Sequence, residues 1–322
     1  MSAFDTLRAA PDFARLVAVS AELGREPLQV QAAGGNTSIK SDGAMWVKAS
    51  GTWLADAEAK AIMVPVDAAG LAAAVLSGAP EAEQAAGFVP EGSNPGGLRP
   101  SIETVLHAVI PAACVLHTHA VAAIALAIRA DAESETERRL AGERAVFIPY
   151  VMPGLPLAQA VAGPAAAGAR IFLLGNHGLI VAGDTPDSTH RTLARITARL
   201  EAIAPPADHP DTPGAFDPGA GWRPASHPAT RALALDPART KAAASGTLYP
   251  DHAIFLGPGV AVARTGETAA EAALRASAGS GPDRRLVLLP GRGAALPDDA
   301  SASAQAMARC LGDVLCRVPP DT

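Results

Sequence analysis

Residues 112–119 read Ala112-Ala113-Cys114-Val115-Leu116-His117-Thr118-His119, an apolar run that ends in two histidines one residue apart. In an extended strand, residues i and i+2 point to the same face. His117 and His119 are therefore aimed at one spot from the end of a buried strand. A second apolar run, Ile171-Phe172-Leu173-Leu174, leads into Asn176-His177-Gly178. Three histidines delivered by two strand ends match a catalytic metal site, which takes three protein ligands and keeps one position open. A lone histidine on an apolar strand is more often a satisfied core residue; the pair, with a third in a like setting, favours a metal. Neutral imidazole suits borderline ions, so one divalent metal, Zn2+, is expected.

Composition narrows the setting of that site. At 322 residues the chain has room for a large core and, by length, two domains. No stretch approaches the roughly 18 uninterrupted apolar residues of a membrane span. The formal net charge of −6 comes with no basic stripe, which argues against a nucleic-acid partner, because such binding rests on neutralising phosphates. Three cysteines, Cys114, Cys310 and Cys316, make an odd number at no ligand spacing. They point to a reducing compartment with no disulfide framework. The periodic, charged beginning of the chain lacks the apolar core of a signal peptide, so a cytoplasmic protein is expected.

Periodicity and turn residues divide the chain. A helix is expected over 12–23, then extended runs at 28–32, 36–40 and 45–49, with Asp42-Gly43 as a hairpin turn between the last two. A strand at 62–66 and an Ala-rich helix at 67–77 precede a Pro- and Gly-rich loop at 79–100. A helix then starts after Pro100, with Ser101 as its N-cap, and runs to about 110. Strands at 113–117, 146–150, 171–175 and 178–182 alternate with helices at 120–130, 156–167 and 186–203. Residues 1–205 thus read as one α/β domain, 206–228 as a Pro/Gly-rich linker, and 229–322 as a small C-terminal α/β domain. In the latter, strands are expected at 252–256, 259–263 and 285–289, and helices at 268–277 and 300–317.

Other residues around the histidines carry chemistry. Glu103 falls in the first turn of the helix after Pro100, where the helix dipole alone would favour a carboxylate. That helix runs directly into the His117 strand, so its first turn can face the metal. A carboxylate beside a metal-bound carbonyl can act as base for the adjacent carbon. His107, one turn further on, either orients Glu103 or lies at the surface. Two turns, Gly34-Gly35-Asn36-Thr37-Ser38 and Ala49-Ser50-Gly51-Thr52, offer backbone N–H groups of the kind that cradle anions. Each alone is more often a plain hairpin. Lys40 and Lys48 flank them in a chain poor in lysine.

Together these segments resemble the class II aldolase/adducin family. The resemblance rests on GGNTS (34–38), WVKASGTWL (46–54), RPSIETVLHAVI (99–110), VLHTHAVAAIAL (115–126), IPYVMPGLPLA (148–158) and LLGNHGLIVAGDT (173–185), and covers about residues 10–205. It implies a three-layer α/β/α sandwich with a mainly antiparallel central sheet, and a zinc ion held by His117, His119 and His177. Glu103 matches the acid/base that abstracts a proton beside the carbonyl of dihydroxyacetone phosphate. Gly35, Asn36, Ser50, Gly51 and Ser101 fall where fuculose- and rhamnulose-phosphate aldolases bind phosphate. The family also implies a homo-oligomer, typically a tetramer, with active sites at subunit interfaces.

The chain departs from that pattern at Ile102, where those aldolases commonly carry a second phosphate-binding serine, and in its C-terminal extension. There, Gly246-Thr247-Leu248-Tyr249-Pro250-Asp251-His252 is similar to a segment of longer members, such as the aldolase half of bifunctional rhamnulose-phosphate aldolase/dehydrogenases. Asp251 and His252 themselves read as a turn entering a strand. The function implied is a metal-dependent lyase that makes or breaks a C–C bond of a ketose or ketose phosphate through a metal-stabilised enediolate. Tyr150 is a candidate to protonate the leaving aldehyde's alkoxide. The alternatives are a same-fold epimerase, decarboxylase or dehydratase, a zinc hydrolase with Glu103 as base, or a non-catalytic adducin-like scaffold. The last is disfavoured because all three histidines are present.

Overall fold

Side chains of the strand Cys114–Thr118 go alternately to two different cores, and this alternation organises the first part of the chain. The computed structural model describes residues 2–201, 216–277 and 284–319. Seven strands form one sheet: β1 (Asn36–Ser41), β2 (Ala44–Lys48), β3 (Met63–Asp67), β4 (Cys114–Thr118), β5 (Ala145–Ile148), β6 (Ile171–Leu174) and β7 (Gly178–Gly183). Their order is β3-β2-β1-β4-β7-β6-β5. Every pairing is antiparallel except that of β5 with β6. Cys114, Leu116, Ile171, Leu173 and Val181 face one core, with the helices Pro11–Arg25, Val121–Ala127 and Pro186–Glu201. Val115, Phe172, Leu174 and Ile180 face the other, with Ala68–Ser77, Thr104–Val109 and Leu155–Ala166. The result is the expected α/β/α sandwich with a mixed, mainly antiparallel sheet. Each fully buried Leu, Ile or Phe contributes about 1.5–3 kcal/mol, so strand register is set by which face each side chain must reach.

A second sheet has the order β8-β11-β10-β9, from β8 (Trp222–Pro224), β9 (Ala261–Val262), β10 (Val287–Leu289) and β11 (Gly293–Pro297). Its core is continuous with the first part of the chain. Val121, Ile124 and Ala125, on the helix that follows His119, pack with Leu233, Leu256, Val260, Leu286 and Leu311. Helix Val121–Ala127 is thus buried all round, shared between two cores.

Several expected elements come out differently. Residues 28–32 are a turn and not a strand. Ala32 has φ +51°, Gln31 Nε2 donates to the Pro27 carbonyl at 2.7 Å, and Val30 is buried without joining a sheet. The helix after Pro100 spans only Thr104–Val109, with Glu103 at its N-cap. Ser101 Oγ accepts from Glu103 N at 3.1 Å, which satisfies that amide before the helix begins. Residues 252–256 belong to the helix Pro250–Leu256. Pro250 at its first position, followed by Asp251, is a helix-start signal that outweighs the apolar run after it. Trp222–Pro224, within the stretch read as linker, forms β8, while 206–215 lie outside the described residues. The Asp42-Gly43 hairpin is present, both residues having positive φ as its tight turn requires.

Two lysines tie the sheet to its surroundings. Lys40 Nζ donates to the carbonyls of His107 and Ile110, and Lys48 Nζ to those of Ala33 (2.8 Å) and Gly35 (3.1 Å). Burial pushes the Lys48 ammonium down to about 8, against an upward pull from Glu103 and Asp251. Burial likewise brings Lys40 to about 7.

Two outcomes are expected. Between pH 8 and 10.5 the unfolded chain holds a proton on residue 48 that the folded chain has lost, so stability should rise with pH across that window. Urea unfolding of wild type against Lys48→Met should show the variant lacking that part of the rise; parallel slopes would refute it. At Gly24, a Cβ would lie 2.0 Å from Ala55 N and 2.5 Å from Leu54 C, backbone atoms that cannot swing aside. Gly24→Val should therefore cost about 3 kcal/mol, the upper range for overpacking, read as a lowered urea midpoint at unchanged slope.

Candidate metal centre

The strand ends bring four ligand-type side chains to one point. His117 leaves β4 paired with Asn36 of β1 on one side and Ile180 of β7 on the other. His119 lies just past β4, and His177 sits in the turn between β6 and β7. Glu103, from the N-cap of Thr104–Val109, comes down onto the same face. One ligand atom from each of Glu103, His117, His119 and His177 lies within 4.8 Å of the others, and all four residues are buried.

Hydrogen bonding settles which nitrogens are free. The Leu179 carbonyl can only accept, so His117 Nδ1 is the protonated nitrogen, donating at 3.1 Å. The Asp251 carboxylate takes the Nδ1 proton of His119 at 2.8 Å. The two Nε2 atoms then face each other as lone pairs, 3.2 Å apart. Glu103 Oε1 is 3.1 Å from His177 Nε2 and 3.5 Å from His117 Nε2, with no hydrogen-bond partner of its own. Ligands of a tetrahedral zinc ion, about 2.0–2.1 Å from the metal, stand about 3.3 Å apart. The measured separations have that length. A single proton would relieve only one of these facing pairs; a divalent cation relieves them all. The residues present fit such an ion.

Charge in the cluster follows from burial and pairing. Burial alone would raise the Glu103 pKa; without an ion, a proton on the neighbouring imidazoles of His117 and His177 pulls it the other way, well below the usual carboxylate range. Burial pushes His117 down, keeping it a neutral donor. Burial would lower His119 too, but the adjacent Asp251 carboxylate turns the net shift upward. Asp251, pushed up by burial, is held low by His119.

Behind Glu103 runs a buried chain of polar groups. Ser38 Oγ donates to His107 Nδ1 at 2.7 Å, His107 Nε2 donates to Asn36 Oδ1, and Asn36 Nδ2 donates to Glu103 Oε2 at 2.9 Å. His107 is fully buried, which lowers its pKa and keeps it neutral. Of the two expectations for His107, the surface one fails: the ring is fully buried and linked to Glu103 through Asn36.

The anion-turn residues divide between this cluster and a cleft of about 560 Å³ beside it. Ser50, Arg99, Ser101 and Ile102 line that cleft. Asn36 Nδ2 reaches Ser101 Oγ at 3.3 Å, linking cleft to cluster. Gly35 packs beneath the His117 carbonyl, where a Cβ would lie 2.8 Å away, and Gly51 has open space around it. Tyr150 follows β5 and is half exposed, its backbone N against Gly175 of the His177 turn. Ile102 is 69% exposed. Sequence reading missed the place of Asp251; the signal was the Pro250-Asp251 helix start, which fixes where that carboxylate points only once the chain is folded.

Comparison with known proteins gives these features a family. Residues 14–202 match the model of the class II aldolase and adducin N-terminal domain. A curated relative, the "Uncharacterized oxidoreductase YuxG" of Bacillus subtilis (strain 168), is 36% identical over 105 residues, 32% of this chain; the match spans only 15% of that protein's length. Among solved structures, the N-terminal class II aldolase domain of a conserved protein from Thermoplasma acidophilum is 27% identical, with a TM-score of 0.50. That match covers 58% of this chain and 91% of the other. The L-fuculose-1-phosphate aldolase from Thermus thermophilus is 20% identical with a TM-score of 0.41, covering 59% and 93% of the two chains. With the family model spanning more than half its length, the chain belongs to the class II aldolase and adducin family.

Proposed function

We propose that this protein is a metal-dependent carbon–carbon lyase acting on a ketose or ketose phosphate. The observation that carries the reading is the pair of Nε2 lone pairs held 3.2 Å apart beside the unpartnered Glu103 Oε1. His117, His119 and His177 would hold the ion, zinc being the choice for a set of neutral imidazoles. When bound there, a divalent ion supplies Lewis-acid polarisation of a carbonyl oxygen. Glu103 is the base: Asn36 pins Oε2, leaving Oε1 to take a proton from the carbon next to that carbonyl and to return it. Ser50, Arg99 and Ser101 line the adjoining cleft, and hydroxyls and a guanidinium are groups that suit a phosphate or sugar hydroxyls. Tyr150, half exposed and with its main chain close to the His177 turn, is the candidate to protonate a departing alkoxide. Family membership supports further copies of the chain as partners. No helix among the described residues is long and apolar enough to cross a membrane, and all three cysteines are free and buried; both fit the cytoplasmic setting.

Deuterium wash-in from heavy water tests this without knowledge of the aldehyde. The zinc-loaded protein should exchange the α-proton of dihydroxyacetone phosphate or dihydroxyacetone, and Glu103→Gln at saturating zinc should exchange about 10²–10⁴ times more slowly. A loaded wild type that exchanges neither ketone counts against the lyase. Separately, His117→Ala should lose the ion, seen as metal content by plasma emission, together with turnover. A variant that keeps its metal, or loses only stability, would favour a scaffold.

A further inference from the structure

The helix Pro250–Leu256 lies outside the residues matched by the family model, yet it reaches the centre of the site. Asp251 Oδ2 accepts the Nδ1 proton of His119 at 2.8 Å, and the two side chains are only 14% and 9% exposed. The approach requires a glycine on the opposite wall. A Cβ at Gly34 would lie 2.8 Å from His119 Nδ1 and 2.9 Å from Asp251 Oδ2, within the contact itself. The segment is tethered a second time, at the other histidine-bearing turn. Asn176, next to His177, donates through Nδ2 to the Leu248 carbonyl at 2.9 Å. Tyr249 and Leu256 anchor it in the core shared with Val121 and Ile124, on the helix that follows His119. Residues 248–256 thus span the ends of both strands that carry the histidines.

We infer that the C-terminal unit completes the metal centre: Asp251 is a positioning residue that fixes the tautomer and ring orientation of His119, and Gly34 is the opening that lets it in. The inference rests on the metal reading of the site. A neutral imidazole whose Nδ1 proton is committed to a carboxylate presents Nε2 as a lone pair, and the carboxylate makes that lone pair a stronger ligand. The three histidines differ in this respect. His117 has only a carbonyl on Nδ1, and His177 Nδ1 has no hydrogen-bond partner. His119 alone is backed by a carboxylate, brought from a part of the chain about 130 residues away. Removing that carboxylate while keeping its shape should weaken the ion's hold without emptying the core.

The test is metal affinity of the full-length protein, measured for zinc by competition with a chromophoric chelator and for cobalt by its d–d absorption. Asp251→Asn should bind both about 10- to 100-fold more weakly with a shifted cobalt spectrum, and Gly34→Ala should do the same by displacing the carboxylate. An Asp251→Asn protein with wild-type affinity and spectrum overturns the role of Asp251 alone. A wild type holding no ion that His117→Ala loses overturns the metal reading along with it. Should the variants unfold, long-range 1H–15N correlation on the zinc-loaded wild type decides. His119 protonated at Nδ1 supports the inference, and His119 protonated at Nε2 refutes it.

Discussion

Everything near the site answers to one electrostatic problem: nitrogen lone pairs and a carboxylate oxygen are held in a buried place within 4.8 Å of one another, the nearest pairs at 3.1–3.5 Å. Left alone, such a cluster repels itself and loses its hydration, a cost of several kcal/mol per buried charge. The fold tolerates it because three of the four groups are fixed from behind. His117 leans on the Leu179 carbonyl, His119 on Asp251, and Glu103 on Asn36. These supports leave the ligand faces turned inward, where a cation would neutralise what the protein cannot.

The sheet is what makes the supports possible. Antiparallel pairing sets Asn36 opposite His117 and Ser38 opposite Val115, so β1 and β4 present Asn36, Ser38 and His117 on one face. Helix Thr104–Val109 packs on that face and brings Glu103 and His107 to meet them. A one-residue slip of β1 would turn Asn36 and Ser38 into the opposite core. Lys40 and Lys48 secure the same region by capping backbone carbonyls, at the expense of burying their amines.

The second sheet extends this arrangement. Its core runs into the first through helix Val121–Ala127, every residue of which is buried. A helix buried all round cannot shift without disturbing both cores. His119, two residues before it, is therefore held by the packing of the whole molecule as well as by its own hydrogen bond. The C-terminal unit is in this sense part of the site's scaffold.

Much of this was legible in the order of residues, and the reason is local. Alternation and apolar runs marked β1, β2, β3, β4, β6 and β7 within a residue or two, because strand period and burial are written in neighbouring side chains. The histidine pair was legible for the same reason, since the i, i+2 relation needs only a strand. The run at 28–32 misled because apolar residues can be buried from a turn, and 252–256 because a short apolar stretch reads alike as helix or strand. The helices Ala132–Arg139, Pro228–Ala232 and Pro237–Ala244 gave too little periodic signal to be drawn out. What the sequence by itself determined was the set of donors and the two strands that carry them. Which nitrogen His117 and His119 offer, that Asn36 and His107 stand behind Glu103, and that Asp251 stands behind His119 came only with the folded chain. Those depend on contacts across 62 to 132 residues of chain, and hydrogen-bond geometry at that range exists only after the cores have closed.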